Sequence, residues 1–396
     1  MNSWSYTLKF SSVAMRILLV TPSYFPIIGG SEVLTQVLAT KLNEIGIDAD
    51  IMTYNMDKKW CPAWKEERIR DGMIDVLRMP GINPLPRLPN PLFSLLRINV
   101  LPDPVFVKRF RTYDMVHFVG EADLSFPLFS CFVDKPRLMH CVGIFRYGGI
   151  YRYYTHQRPY LLRLFRRFFA HLADKYLVSS NEEQVLLSDL GIPKSKVSIL
   201  PLGVDINLFR PGVDKKTENL LLFVGRIDRI KGLHILMKAL PLISSPVQLA
   251  IIGSRWDQEY VKEIEAMSQV ITKKGIHRVM FLGAMDQKEI VSWYQKASIL
   301  VCPYLYETHS NVVREALACG TPIVSTGSHM SEEGADGILL TSRHPEKLAK
   351  AIERLLRNKE MREKYGKEGR AYVERNLSWN SIIKRLVDLY KEMLDN

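Results

Sequence analysis

Two carboxylates near the C-terminus, Glu307 and Glu315, are separated by seven residues in the stretch CPYLYETHSNVVREALACGTPIVST. Such a pair can act as general acid and base, or as two separate binding groups. An apolar run ending at Tyr304 and Leu305 reads as a buried strand, ETHSN as a polar turn, and VVREALAC as a helix stopped by Gly320, Thr321 and Pro322. Strand, turn and helix in that order aim backbone N–H groups at an anion. The layout predicts Glu307 at the mouth of a crevice and Glu315 about two turns down the helix. An ordinary surface loop before an amphipathic helix would give the same spacing, so the pair takes its meaning from residues elsewhere.

Cations suited to a phosphate lie upstream. LLFVGRIDRIKGLHILMKAL reads as a strand ending at Val224, a turn at Gly225, and Arg226 and Lys231 flanking the tip before Gly232 opens a helix. At the C-terminal end of a strand they can hold a diphosphate, lysine as a point charge and arginine as a fork of donors. Solvated charges beside a turn are the competing explanation. The chain has neither GxGxxG nor GxxxxGK followed by Ser or Thr, which disfavours dinucleotide enzymes and P-loop NTPases. In PSYFPIIGGSEVLTQVLATKL, Gly29 and Gly30 fall between a first strand and a helix. There a backbone without Cβ atoms can approach a ligand, although a tight turn alone explains the same residues. His140, in RLMHCVG, and His117, in DMVHFVG, each fall on a strand of the first half. Either could be a structural hydrogen-bonder. Asp48-Ala49-Asp50 imitates a DxD metal signature but leads into the second strand and reads as structural; no other cluster has metal-ligand spacing.

These residues need rigid elements to place them. Apolar runs at 17–20, 49–53, 115–118, 137–140 and 175–178, then 220–224, 248–252, 279–282, 299–302 and 323–325, read as strands. Helix-compatible segments such as 31–44, 233–240 and 286–296 follow them, the pattern of parallel α/β architecture. With 396 residues the chain is long enough for two domains, and the punctuated segment 199–211, ILPLGVDINLFRP, has linker chemistry. A last helix is expected over 380–394. Two segments break the pattern: 80–104, with seven prolines, and 144–169, which mixes aromatics and arginines. A net charge of +12 points to an anionic partner. Five cysteines without CxxC spacing argue for a reducing cytosol and against a disulfide framework or structural zinc. No run reaches the length of a spanning helix, so the expected location is cytoplasmic.

Taken in order, FPIIGG, DMVHFVG, KVSILPLGVD, VGRIDRIKG, LAIIGS, RVMFLGA and ETHSNVVREALACGTPIV resemble family 4 of the retaining, nucleotide-sugar-dependent glycosyltransferases, over nearly the whole chain from Met15. The resemblance implies a GT-B fold: α/β, two Rossmann-like doubly wound parallel-sheet domains facing a cleft. Residues 1–204 would form the acceptor domain (1–14 a tail), 205–376 the donor domain, and 377–396 a helix packing back on the first. It also implies roles. Arg226 and Lys231 resemble the diphosphate cations, Glu315 the carboxylate on the ribose hydroxyls, and Glu307 the one on the donor sugar. The backbone of Ser310, Asn311 and Val312 would reach phosphates and sugar, and Gly29, Gly30, Gly225 and Gly253 would border the donor. His140 resembles the active-site histidine near the reacting carbon, with His117 competing for that role. Many members read EGFG where this chain has Glu307-Thr308-His309-Ser310, which leaves the donor sugar open.

The implied reaction is hexosyl transfer from a UDP- or GDP-sugar to a hydroxyl of a glycan or lipid-linked acceptor, without a metal or a tightly bound cofactor. The implied mechanism is a front-face displacement with the leaving diphosphate helping to deprotonate the acceptor. Segment 144–169 could contact an anionic membrane carrying such an acceptor, or simply pack as an amphipathic helix. A sugar phosphorylase or nucleotide-sugar epimerase could use the same fold. A non-catalytic binder of nucleic acid or anionic surfaces fits the charge, but no nucleic-acid partner is expected, since no RNA-binding signature occurs.

Overall fold

The computed structural model describes residues 15–21, 23–26, 30–55, 66–79, 110–120, 130, 133–141, 172–189, 191–214, 216–305, 310–327 and 337–395. Gly29, Glu307, Thr308, His309, Cys61, Cys131 and the segments 1–14, 80–104 and 144–169 lie outside them. The chain divides into two compact units, Met1–Pro201 with Ile383–Asn396, and Leu202–Ile382.

The second unit holds a six-stranded sheet. Its strands are β9 (Leu220–Val224), β10 (Gln248–Ile252), β11 (Arg278–Gly283), β12 (Ile299–Cys302), β13 (Ile323–Ser325) and β14 (Ile338–Leu340), in the order β11-β10-β9-β12-β13-β14. Every pairing is parallel. The near-continuous apolar strands follow from burial on both faces. Along β9, Leu221 and Phe223 enter one core and Leu220, Leu222 and Val224 the other; β10 and β12 alternate likewise. Helices α3 (Leu233–Ala239), α4 (Gln258–Lys273) and α7 (Pro345–Arg357) line the first core. The second is lined by α5 (Gln287–Lys296), α6 (Asn311–Ala318) and α8 (Lys359–Asn376). This is the doubly wound arrangement expected.

The first unit holds an eight-stranded sheet in the order β3-β4-β2-β1-β5-β6-β7-β8. These are β1 (Arg16–Val20), β2 (Asp48–Tyr54), β3 (Glu67–Asp71), β4 (Ile74–Met79), β5 (Met115–Gly120), β6 (Arg137–Cys141), β7 (Lys175–Val178) and β8 (Val197–Ile199). Helix α1 (Gly30–Glu44) packs against β2 and β5, and α2 (Asn181–Asp189) against β7 and β8. The sheet is mixed rather than wholly parallel, because β3 runs antiparallel to β4. This hairpin escaped the apolar-run criterion since ERIRD is charged and largely exposed. Ile199, read as the start of the linker, is the last residue of β8. Helix α9 (Trp379–Asp395) closes the chain, and Ile383, Leu386, Val387, Tyr390 and Met393 along it are buried. Within the first unit it is tied down by Lys175 to Glu392 at 3.0 Å and by Arg385 donating to the Ile199 carbonyl at 3.0 Å.

Asp48 and Asp50 are structural. Arg16 pairs with Asp48 at 2.8 Å and reaches Asp50 at 3.9 Å, while the Tyr113 hydroxyl donates to Asp50 at 2.7 Å. Among the described residues no group of three His, Cys, Asp or Glu is placed to hold a metal ion, and no helix is long and apolar enough to cross a membrane. Cys141, Cys302 and Cys319 are buried free thiols.

Lys216 is an unusual half-buried cation in the second unit. Its ammonium donates to Thr321 Oγ1 at 2.8 Å and to the Tyr294 and Gln295 carbonyls at 3.3 Å, at the C-terminal end of α5. Burial lowers its pKa to about 8. The folded state therefore releases this proton at lower pH than the unfolded chain, so stability rises as pH climbs from about 8 towards the ordinary lysine value. The gain amounts to roughly 3 kcal/mol. Urea titrations of wild type and Lys216→Met between pH 7.5 and 10 should show the difference moving in favour of wild type as pH rises.

Candidate active site

The C-terminal strand ends of the second unit are held by backbone contacts that admit only glycine. Gly253 has φ +155°, and a Cβ there would lie 1.8 Å from the Gly225 carbonyl oxygen. Gly232 has φ +66°, and a Cβ there would lie 1.9 Å from the Pro303 carbonyl oxygen. The Gly225 N–H donates to the Ile252 carbonyl, the Ile227 N–H to Ser254 and the Leu305 N–H to Ile230. These bonds gather the loops after β9, β10 and β12 at one edge.

Arg226 and Lys231 sit on the loop after β9. Asp228, almost wholly buried, ends the turn: its carboxylate accepts from the Lys231 backbone N–H at 3.1 Å and pairs with the Arg226 guanidinium at 3.2 Å. The other face of that guanidinium lies 4.8 Å from the Trp256 ring centroid. Two-fifths of the Arg226 side chain stays exposed, so its fork remains open to an anion. The Lys231 ammonium sits 4.7 Å over the buried ring of Tyr304, whose hydroxyl is 3.4 Å from Ser310 Oγ. Ser310 is the N-cap of α6 and accepts from the Val313 N–H at 3.3 Å. Arg226, Lys231 and the N-terminus of α6 thus share one edge, an arrangement favourable to phosphate.

Glu315 is the fifth residue of α6, a little over one turn from its start rather than two, because the helix begins at Asn311. The Tyr294 hydroxyl donates to it at 2.8 Å. Burial raises the Glu315 carboxyl above its usual range, while Tyr294 and the Arg314 charge oppose that shift. Burial, then the Glu315 charge, pushes the Tyr294 phenol well above the ordinary range, so it stays a donor. Asn311, exposed, accepts from the Arg314 guanidinium; Val312 is half-buried. Asp228, Trp256, Tyr294 and Tyr304 were not anticipated. An aromatic beside an otherwise aliphatic strand end, as at Tyr304, was the one available signal.

In the first unit Gly30 is the exposed first residue of α1. Glu32, buried in the first turn of the same helix, accepts from Ser23 Oγ and from Ser31 Oγ, the latter at 3.1 Å. His140 lies buried on β6, and His117 on β5 is stacked beside it with ring centroids 5.5 Å apart. The two candidates are therefore neighbours in one cluster.

Solved structures share this architecture. Sucrose-phosphate synthase from Thermosynechococcus elongatus matches with TM-score 0.69 at 23% identity, covering 96% of this chain and 99% of that one. The Anabaena protein HepE in complex with UDP matches with TM-score 0.71 at 17% identity, covering 96% and 100%. The fold is GT-B. Residues 28–208 match the model described as Glycosyltransferase Family 4, and residues 218–358 the one described as Glycosyl transferases group 1. The chain belongs to these glycosyltransferases. An uncharacterized glycosyltransferase of Methanocaldococcus jannaschii is 26% identical over 95% of this chain and 98% of its own length. A D-inositol 3-phosphate glycosyltransferase of Corynebacterium urealyticum is 28% identical over 60% of this chain, which spans 61% of that relative.

Substitution separates the two kinds of glycine. Gly253→Ala, forced against a backbone oxygen, should lose about 3 kcal/mol or more in a denaturant titration. Gly275→Ala, at φ +75° with open space around it, should cost only about 1 kcal/mol.

Proposed function

We propose that this glycosyltransferase moves a hexosyl unit from a nucleoside-diphosphate sugar to a hydroxyl of a glycan or lipid-linked acceptor, with retention at the anomeric carbon. The observation that carries the reading is the continuous chain Arg226–Asp228–Lys231–Tyr304–Ser310, which sets two cations and a helix N-terminus along one edge. A departing diphosphate carries growing negative charge, and preorganised donors of this kind lower a barrier by several kcal/mol. Glu315, held by the Tyr294 hydroxyl, presents a carboxylate that two vicinal ribose hydroxyls can donate to. UDP complexes of HepE favour a uridine donor. Glu307 would take the donor sugar, Gly29, Gly30, Gly225 and Gly253 would give the backbone room to approach the donor, and His140 would act at the reacting carbon. In this reading residues 205–376 hold the donor, 1–204 the acceptor, and the departing diphosphate accepts the acceptor's proton.

A thermal-shift panel of UDP-, GDP- and ADP-hexoses identifies the donor, since a ligand that binds only the folded chain raises the midpoint. Arg226→Ala and Lys231→Ala should each reduce transfer from that donor by about a hundredfold or more; near-wild-type rates in both would overturn the reading.

The acceptor side of the proposal rests on segment 144–169, where arginines alternate with Tyr, Phe and Leu. Such a segment binds anionic headgroups while its aromatics enter the interface. Co-sedimentation with phosphatidylglycerol vesicles, compared with phosphatidylcholine alone, is expected to show binding only to the former. Equal recovery with both would remove the membrane from the proposal.

A further inference from the structure

The buried histidines of the first unit support an inference that rests on, and deepens, the role proposed for His140. In the parallel register of β5 and β6, Val119 stands opposite His140. Residues 117 and 119 share a face of the sheet, so His117 and His140 rise from the same side. Their rings are within 14° of parallel at a centroid spacing of 5.5 Å, an offset-stacking distance. On its other side His117 meets α9: its Nδ1 lies 2.6 Å from the Tyr390 hydroxyl, 273 residues further along the chain. His117, His140 and Tyr390 are 0%, 2% and 0% exposed.

The buried residues around Tyr390 on α9 are Ile383, Leu386, Val387 and Met393, all apolar. A hydroxyl among them is costly unless it is bonded, and His117 is its partner. Burial sets the charge states of both groups. Burial holds the Tyr390 phenol well above its ordinary range. Burial, and then the neighbouring His140, hold His117 well below its own. Both groups are therefore neutral, and the direction of the bond follows the imidazole tautomer; with the phenol donating to Nδ1, His117 carries its proton on Nε2. That nitrogen has no hydrogen-bond partner among the described residues.

We propose that Tyr390 and His117 are positioning residues for His140: the phenol on Nδ1 fixes the plane of the His117 ring, and that ring, stacked against His140, holds the His140 imidazole in its working orientation. The C-terminal helix thereby reaches the chemistry through one hydrogen bond and one ring stack, without touching substrate.

The test uses the full chain and whichever of UDP-glucose, GDP-mannose and ADP-glucose raises its melting temperature most. Tyr390→Phe keeps the ring and removes only the hydroxyl. It is expected to lower kcat for nucleoside diphosphate release about tenfold, since small displacements of a reacting group are costly. The KM for the sugar nucleotide and the thermal shift given by the free nucleotide should stay as in wild type. Imidazole nitrogen NMR should show His117 as a single Nε2–H tautomer in wild type and a mixture in Tyr390→Phe. An unchanged kcat, a fall in nucleotide binding that parallels kcat, or an Nδ1–H tautomer in wild type would each overturn the inference. His140→Ala separates it from the reading beneath. If His140→Ala loses turnover while Tyr390→Phe does not, the positioning role alone has failed. If His140→Ala turns over normally, the role of His140 has failed and the inference with it.

Discussion

The edge of the second unit that carries Arg226 and Lys231 depends on one buried carboxylate. Arg226 and Lys231, five positions apart, would stand about 17 Å apart on an extended chain. Asp228 shortens that path by accepting from the Lys231 backbone N–H, which closes the turn, and by pairing with the Arg226 guanidinium, which aims it. A carboxylate so nearly buried needs such partners, so the turn and the ion pair sustain each other. Trp256 closes the other face of the guanidinium, leaving the remaining donors as the direction from which an anion can be met. Under the proposed function, an incoming diphosphate would meet an arginine already oriented, with the ordering cost borne by the fold.

The same economy runs through Glu315 and His140. Each would be poorly defined as an isolated side chain. Tyr294 fixes the first from α5, and Lys216 and Thr321 in turn fix the carbonyl of Tyr294. His117 flanks the second. Tyrosine recurs in these second contacts, as Tyr294, Tyr304 and Tyr390, because it combines a large apolar ring with one donor at its tip.

Much of the architecture was legible because strands buried on both faces, such as LLLFV and QLAII, have no polar register to confuse, and because Gly320, Thr321 and Pro322 end α6 as their chemistry dictates. The β3–β4 hairpin was not, since ERIRD has the composition of a surface loop and becomes a strand only through its pairing with β4. Strand β8 was hidden by the prolines and glycines that follow it. Of the candidate site, Arg226, Lys231 and Glu315 could be proposed from residue type and place. Their partners Asp228, Tyr294 and Trp256 could not, because nothing in one sequence reveals a contact between residues distant along it. For the same reason the sequence could not show that His117 and His140 lie side by side with their rings stacked.

The charged hairpin that eluded detection also bears on how two copies of the chain would meet. Among the described residues strand β3 is the outer strand of the eight-stranded sheet, and an outer strand can offer unpaired backbone groups to another chain. Glu67, Arg68 and Arg70 line it, with Arg68 three-quarters exposed. A second copy docking strand to strand in antiparallel register would have to desolvate those charges, arginine facing arginine in some registers. The opposite border, β8, is only three residues long, too short to template an intruder. Colloidal tolerance is thus written into the borders of the sheet, and neutralising Arg68 and Arg70 would trade it away without touching a single residue of the site.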